Sequence, residues 1–452
     1  MEYSERIERR RKRVVLVLVL SSYMIVGIDG SLVITAITEI AADLHLDHTA
    51  LSWVQNAYVL AFGGFMLAGG RLGDMYGRRL MFIISLVLFG IGSLGAGLSP
   101  TAVWMIASRF VQGVGSAVMA PAALGLIVDY FEGKERVKAV AWYGSISGLG
   151  LCVGLVLGGA ITSYGSWRWG FLVNIPIISL MLAGSAKWLR KSSYSETSFD
   201  YGGSALSAIT AFSLIYALDG AEQPLLWAVV GGASLAALLF VERKAKLPII
   251  PMELFRSATR RNGYISRFLM IGALMGYNFA ISELLQRSLG FSPLLAGCAF
   301  LPMTLTTFFG ALSVPSLVGR FGNIKVLVPG LAMLIIGFVW LSMFSAGSSY
   351  MSGLCLPMLL IGFGQGLAMS PLTNMGIEGI GSDNTGAASG FVNVSHQLGG
   401  AFGLSLMVSL TQWMTDAVQR FHDSMIVAAS LILAALFVTI VCNKAKIRLW
   451  KD

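Results

Sequence analysis

Residues 70–79 read GRLGDMYGRR, three glycines, one acid and three arginines set between two apolar stretches, LSWVQNAYVLAFGGFMLAG (51–69) and LMFIISLVLFGIGSLGAG (80–97). A helix of about 20 apolar residues spans the ~30 Å hydrocarbon core of a bilayer. Gly70, Gly73 and Gly77 let the chain turn sharply and let helices approach closely. The segment therefore reads as a tight, charged turn at a membrane surface, joining two spanning helices. Asp74, among Arg71, Arg78 and Arg79, is placed to pair across a helix interface and to latch it.

Composition extends that reading to the whole chain. Of 452 residues, 56% are hydrophobic and 12% charged, against about 25% charged in soluble domains. A soluble domain is excluded for want of charged surface, and disorder because disordered chains are polar and charged. Apolar runs fall at about 14–37, 51–70, 80–98, 102–128, 138–162, 169–188, 202–218, 225–241, 264–286, 294–316, 325–345, 351–373, 386–410 and 424–442. These predict fourteen transmembrane helices. The start, MEYSERIERRRKRVVLVLVL, resembles a signal peptide, but its apolar run continues to Ile28 without a nearby small-x-small site. It reads as a first span behind a cytoplasmic basic tail, 1–13.

The charges orient the spans. There are 32 Lys and Arg against 23 Asp and Glu, a net charge of +9. With the N-terminus inside, 28 of the 32 fall in the N-tail, the even-to-odd loops and the C-tail. Lys134, Arg136 and Lys138, for example, share the 4–5 loop, and Lys187, Arg190 and Lys191 the 6–7 loop. Only Arg109, Arg168, Arg287 and Arg420 remain, within a span or near the outer face. Basic residues gather in cytoplasmic loops and face anionic lipid, so the excess predicts cytoplasmic termini and lipid as partner, with no nucleic acid. The outer loops carry acids, among them Asp43, Asp47, and Asp219 with Glu222 in an exposed turn. Gly70–Asp74 is echoed by Gly319-Arg-Phe-Gly-Asn323 after span 10. If the echo marks a repeat, the chain divides into an N-terminal six-helix bundle (14–190), a linker with inserted helices 7 and 8 (191–263), a C-terminal six-helix bundle (264–442) and a cytoplasmic tail (443–452). Repeat-built transporters place binding near the midplane.

Residues 70–79 resemble the 2–3 loop signature of the major facilitator superfamily, G-x-L-a-D-r-x-G-r-[KR], at Gly70, Leu72, Gly73, Asp74, Gly77, Arg78 and Arg79, with Met75 where a basic residue is usual. Arg109, Gln112, Gly113 and Gly115 resemble its span-4 signature R-x-x-Q-G-x-G. Trp167-Arg168-Trp169, Phe171, Asn174 and Pro176 resemble a stretch of its fourteen-span drug:proton antiporters, and Asp29 fits that branch's acid in span 1. Gly150, Gly154, Gly158 and Gly159 match the branch's span-5 signature G-x-x-x-G-P-x-x-G-G, with Leu155 where Pro is expected. The resemblance covers nearly the whole chain. It implies an all-α fold of two six-helix bundles plus two inserted helices, and a bacterial multidrug efflux pump in the cytoplasmic membrane.

Asp29 is the first candidate site residue. A carboxylate at the centre of a span costs about 2.5–3.5 kcal/mol on insertion scales, so the neutral acid is the cheaper form there and the residue is a candidate proton carrier. Arg109 is its natural partner. Asp29 lies about 8 residues below the outer end of span 1 and Arg109 about 7 below that of span 4, ~12 and ~10 Å at 1.5 Å per residue. Glu283 is the third candidate, for a second proton or a cationic cargo. It also stands four residues before Arg287, where an i,i+4 pair can form. Asp129 is expected to join the Asp74 cluster in gating. Gly150, Gly154 and Gly158 repeat every four residues, the small-xxx-small pattern of close membrane helix packing. Asn56, Tyr58, Tyr143, Tyr277 and Asn278 lie on helices expected to face a cavity and are candidates for cargo contact.

There is no P-loop to bind ATP, and Cys152, Cys298, Cys355 and Cys442 are scattered in apolar runs. No cofactor, enzyme activity or obligatory protein partner is expected. The expected function is export of small lipophilic, cationic drugs driven by the proton gradient through alternating access. The rivals are the same fold with another cargo (tetracycline–metal, lipid, siderophore or metabolite), or a proton symporter. The orientation is directly testable. A fluorescent protein fused to the C-terminus should fluoresce and an alkaline phosphatase fused there should be inactive; the reverse pattern would invert the charge count.

Overall fold

The computed structural model describes residues 2–190, 200–244, 251–345, 347–380 and 385–442. Lys191, Lys246, Asp383 and the tail 443–452 with its basic residues lie outside them. Among the described residues there is no strand. The helices are α1 (Glu2–Asp43), α2 (His48–Tyr76), α3 (Arg78–Gly97), α4 (Ala102–Tyr130), α5 (Gly133–Tyr164), α6 (Trp167–Leu172), α7 (Asn174–Trp188), α8 (Tyr201–Leu218), α9 (Pro224–Lys244), α10 (Ala258–Glu283), α11 (Pro293–Ala299), α12 (Leu301–Phe321), α13 (Asn323–Leu341), α14 (Leu356–Ile377), α15 (Thr385–Thr411) and α16 (Ala417–Cys442).

Among the described residues, eleven helical segments are long and apolar enough to cross a membrane. The predicted spans 138–162, 202–218 and 386–410 are helical as α5, α8 and α15, with apolar stretches at Leu149–Tyr164 and Gly202–Leu218 in the first two. α15 carries Asn393, Ser395, His396 and Gln397 through its middle. Polar and small residues buried in a bundle lower the apolar signal of a helix without preventing it from packing.

Local chemistry sets the boundaries. Asp47 caps α2 by accepting the Ala50 N–H at 2.7 Å, and Thr101 caps α4 by accepting the Trp104 N–H at 3.3 Å. Gly77, at φ 90°, ends α2 and opens α3, a conformation that side chains with a Cβ resist. Gly322, at φ 82°, does the same between α12 and α13. The two turns thus fall at Gly77 and Gly322, whereas the sequence echo pairs Gly73 with Gly322. Predicted span 6 is two helices, α6 and α7, and Pro176 sits in the first turn of α7, where its missing N–H costs nothing.

The basic segment before the first span is not a loose tail. α1 is helical from Glu2, and its charges are engaged. Glu8 accepts from Arg11 at 3.0 Å and from Arg190 at 2.7 Å. Lys12 reaches Glu135 at 2.8 Å and holds that exposed carboxyl below its usual pKa range. Asp219, expected in an exposed turn, is buried, while Glu222 is exposed.

The chain forms two compact units, Met1–Ala208 with Ser292–Leu294, and Ile209–Phe291 with Leu295–Asp452. The first turns of α8 belong to the first unit and its remainder, with α9, to the second, so the inserted pair is divided between the units. In the first unit, α1 packs on α5, and α4 packs on both α2 and α3. Glycines permit each approach. A Cβ on Gly154 would stand 2.7 Å from Ile28 Cα, and one on Gly158 2.9 Å from Leu32 Cα. In the second unit, α10 packs on α15 and α16, and α14 on α12 and α13. There Gly403 meets the Gly272 backbone, and a Cβ on Gly364 would stand 2.6 Å from the Gly330 carbonyl oxygen. Arg260 ties the turn before α10 to the end of α14, donating to the carbonyls of Leu254 (3.1 Å), Glu253 (2.7 Å) and Glu378 (2.8 Å).

The contrast between two glycines is a test of this packing. Gly154→Val should separate α1 from α5 and cost about 1–3 kcal/mol or more, read as a lower melting temperature in detergent. Gly73→Ala, where a Cβ meets nothing within 4 Å, should leave the melting temperature within a few degrees.

Candidate functional site

Three helix crossings bring the first unit's buried charges together. α5 crosses α1 at Gly150, Gly154 and Gly158, which meet the stretch of α1 on either side of Asp29. α4 is pressed against α2 at Gly113, where a Cβ would stand 2.8 Å from Ala61 Cβ and closer still to the Tyr58 carbonyl. It is pressed against α3 at Gly115 and Gly92; a Cβ on Gly92 would reach Gln112 Cβ at 2.6 Å. The glycines of R-x-x-Q-G-x-G are thus the reason that Arg109 and Gln112, on the same helix, reach groups on α1, α2 and α3.

Asp29 and Arg109 are 1% and 0% exposed. Arg109 Nη1 donates to Asp29 Oδ2 at 2.5 Å and to Gln112 Oε1 at 2.6 Å. Gln112 Nε2 donates to Asp29 Oδ1 at 2.7 Å. Arg109 Nε donates to the Val54 carbonyl at 3.1 Å. The contact that equal depths allow is therefore formed, and Gln112 closes it into a ring of three side chains. The guanidinium also lies 4.3 Å from the centre of the Tyr58 ring and 5.7 Å from that of Phe171, which favours the cation. Its Nη2 is buried without a hydrogen-bond acceptor. A buried pair is desolvated at a cost of several kcal/mol per ion, so removing one partner leaves the other uncompensated.

The W-R-W-x-F-x-x-N-x-P stretch builds one wall of this ring. Phe171 supplies the aromatic face and its carbonyl accepts from Ser93 Oγ at 2.9 Å. Asn174 Nδ2 donates to the same Ser93 Oγ at 2.9 Å, and Gln112 Nε2 approaches it at 3.5 Å. At the C-terminal end of α1, Arg168 and Trp167 both donate to Asp43, at 2.8 and 3.1 Å, and Arg168 also reaches the Ser99 carbonyl at 2.6 Å. Ser93 carries no warning in the sequence beyond its place after Gly92.

The cargo candidates of this unit are packed inward. Tyr58 hydroxyl bonds Ser116 Oγ at 2.8 Å. Tyr143 stacks on Tyr23 at 4.3 Å and donates to the Ala120 carbonyl at 3.3 Å. Asn56 is fully buried. In the charged turn, Arg78 bonds Asp129 and donates to the Gly125 carbonyl at 2.8 Å. Asp74, whose side chain is 55% exposed, stands 3.9 Å from Arg78. Arg79 donates to the Ala186 carbonyl at 2.8 Å. Asp129 is thus the acid bonded to Arg78, with Asp74 at its periphery.

In the second unit the Glu283–Arg287 pair forms at 2.7 Å, but Glu283 is not a surface residue: its side chain is 6% exposed. Arg420, on α16, reaches the same oxygen at 3.0 Å. Two guanidiniums thus converge on the acid expected to meet a cation. Tyr277 is fully buried, with its hydroxyl unbonded, against Phe338, and Asn278 is half-buried. Arg267, expected among the cytoplasmic charges, is buried, reaching Thr373 Oγ1 at 2.8 Å and His396 Nδ1 at 3.2 Å.

A buried acid–arginine pair on α1 and α4, with the charged turn after α2, coincides with a match over residues 19–404 to the model of the Major Facilitator Superfamily. The chain belongs to this superfamily. It is a transporter of small molecules, not an enzyme. Its relatives include the uncharacterized MFS-type transporter EfpA of Mycobacterium tuberculosis, 34% identical over 85% of this chain and 74% of that one. The puromycin resistance protein pur8 of Streptomyces alboniger is 34% identical over 90% and 84%. The cephamycin export protein CmcT of Amycolatopsis lactamdurans is 32% identical over 94% and 91%. Among solved structures, the nucleoside transporter NupG superposes with a TM-score of 0.68 over 96% of this chain and 99% of that one, at 13% identity, a likeness of fold alone.

The buried pair gives a thermodynamic test. Arg109→Met should cost about 3–5 kcal/mol by stranding Asp29, and Asp29→Asn in the same chain should recover part of that loss. Additive losses in thermal melts of the single and double variants would exclude direct coupling.

Proposed function

We propose that this transporter exports small lipophilic, cationic compounds in exchange for protons, by alternating access through fourteen spans, with both termini on the cytoplasmic side of a bacterial cell membrane. The observation that carries the proposal is the isolation of Asp29, a fully buried acid whose negative charge is balanced by a single guanidinium and one amide. Protonating Asp29 cancels its attraction for Arg109, which in a medium of low dielectric is large. One proton therefore changes the most strongly coupled contact in the first unit. The relatives named for puromycin resistance and cephamycin export support export as the direction.

In this reading the outward-open state takes a proton on Asp29 and releases cargo, and the inward-open state loses it as cargo binds. Proton and cationic cargo compete for one carboxylate. Arg109 tunes that competition, and the Arg78–Asp129 contact, with Asp74 beside it, latches the inner face. Glu283, held by Arg287 and Arg420, clasps the outer end of α10 to α16; a cation or a second proton there must displace one of the two.

Everted vesicles with an imposed pH gradient test the coupling, with ethidium as the lipophilic cation. Wild type should move ethidium and dissipate the gradient as it does so, and Asp29→Asn should lose both effects. Ethidium movement that still dissipates the gradient in Asp29→Asn would remove Asp29 as the proton site. A panel of cationic, zwitterionic and neutral compounds ranks the cargo classes.

A further inference from the structure

We infer that Gln112 is a hydrogen-bond inverter: its side-chain amide turns over when Asp29 takes a proton, and the turn releases Arg109. The inference rests on the reading of Asp29 as the proton carrier and assigns the step by which that proton is felt.

The argument is one of donors and acceptors. A carboxylate is acceptor-only, whereas a carboxylic acid must also donate one hydrogen bond. Both partners of Asp29 in this structure are donors, Gln112 Nε2 on Oδ1 and Arg109 Nη1 on Oδ2. The arrangement suits the carboxylate and leaves an acid proton nowhere to go. An acceptor stands on the same amide that touches Asp29: Gln112 Oε1, which faces Arg109 Nη1 at 2.6 Å. Rotation of the amide by half a turn brings Oε1 to Asp29 Oδ1 and receives the proton. The same rotation puts Nε2 where Oε1 was, facing Nη1, donor against donor.

Arg109 then loses both acceptors of Nη1 at once, the neutralised carboxyl and the turned amide. It keeps Nε to the Val54 carbonyl and the face of Tyr58. Nη2 has no acceptor to lose. A buried donor stripped of partners is disfavoured, more so when charged, so the guanidinium is driven from the ring. The other titratable groups here are Tyr58 from α2, which interacts with Asp29 and Arg109, and Tyr23 from α1, which interacts with Tyr58 and stacks on Tyr143 of α5. Tyr58 is committed to Ser116. Arg109 is the charge that responds.

Ser93 sets the resting orientation of the amide. Its oxygen donates to the Phe171 carbonyl and accepts from Asn174 Nδ2, so the lone pair left to it faces Gln112 Nε2 at 3.5 Å. An acceptor there favours Nε2 over Oε1, and the long distance makes the preference weak enough for a proton to overcome. Gln112 is thus a positioning residue that acts through Arg109, and Ser93 and Asn174 bias it.

Infrared difference spectra of the reconstituted protein across a pH step test the inference, with glutamine side-chain carbonyls labelled with carbon-13. In wild type, a protonated-carboxyl band absent from Asp29→Asn should appear together with a shift of a labelled amide band absent from Gln112→Met. Where Gln112→Met fails to fold, Gln112→Leu offers a second assignment of the amide band. A carboxyl band that depends on Asp29 with every labelled amide band unmoved would overturn the inversion and leave the proton-carrier reading standing. Absence of any carboxyl band that depends on Asp29 would overturn both.

Discussion

A carboxylate and a guanidinium buried in an apolar bundle constrain everything around them. Neither Asp29 nor Arg109 can be ionised there alone, so each must find the other and both must find further polar partners. The first unit supplies these from six helices: Asp29 from α1, the Val54 carbonyl from α2, Ser93 from α3, Gln112 from α4, Phe171 from α6 and Asn174 from α7.

Short polar side chains meet only if their backbones are close, which is the part the glycines play. Membrane helices gain little from burying apolar surface against one another, since lipid is as apolar as leucine, and depend on close packing and hydrogen bonds. Gly113, Gly115 and Gly92 draw α2, α3 and α4 together around Gln112, and the Gly150–Gly158 stripe draws α5 onto α1. Leu155 in that stripe is buried in the packing, so the close approach survives without the proline that the antiporter pattern carries. Packing and electrostatics are therefore one design: the stripes set the distance at which the ion pair can close its ring.

The same interaction underlies the proposed response to a proton. Every hydrogen bond to Asp29 comes from a donor, so protonation changes the sign of what the carboxyl needs from its neighbours. The contact of Arg78 with Asp129 and the Gly125 carbonyl joins α3 and α4, and α4 also carries Arg109 and Gln112. The buried ring and the Arg78–Asp129 contact thus share one helix.

Much of this is written along the chain. Helix positions follow from apolar runs, and the two charges that matter most stand out because so few remain once the basic residues of the loops are set aside. The depth of Asp29 and Arg109 is simple arithmetic on helical rise. The regular spacing of small residues marks the crossing of α1 and α5. What the chain could not disclose is which distant residue completes each site. Arg420 joins Glu283 from 137 residues away, and Gln112 meets Asp29 across 83; Asp129 takes the place at Arg78 that proximity in sequence offers to Asp74. Apolar periodicity decides which residues form a helix, because it depends on local spacing and on the bilayer as solvent. Hydrogen-bond partners depend on which helices cross at which residue, and that is decided only when the bundle closes.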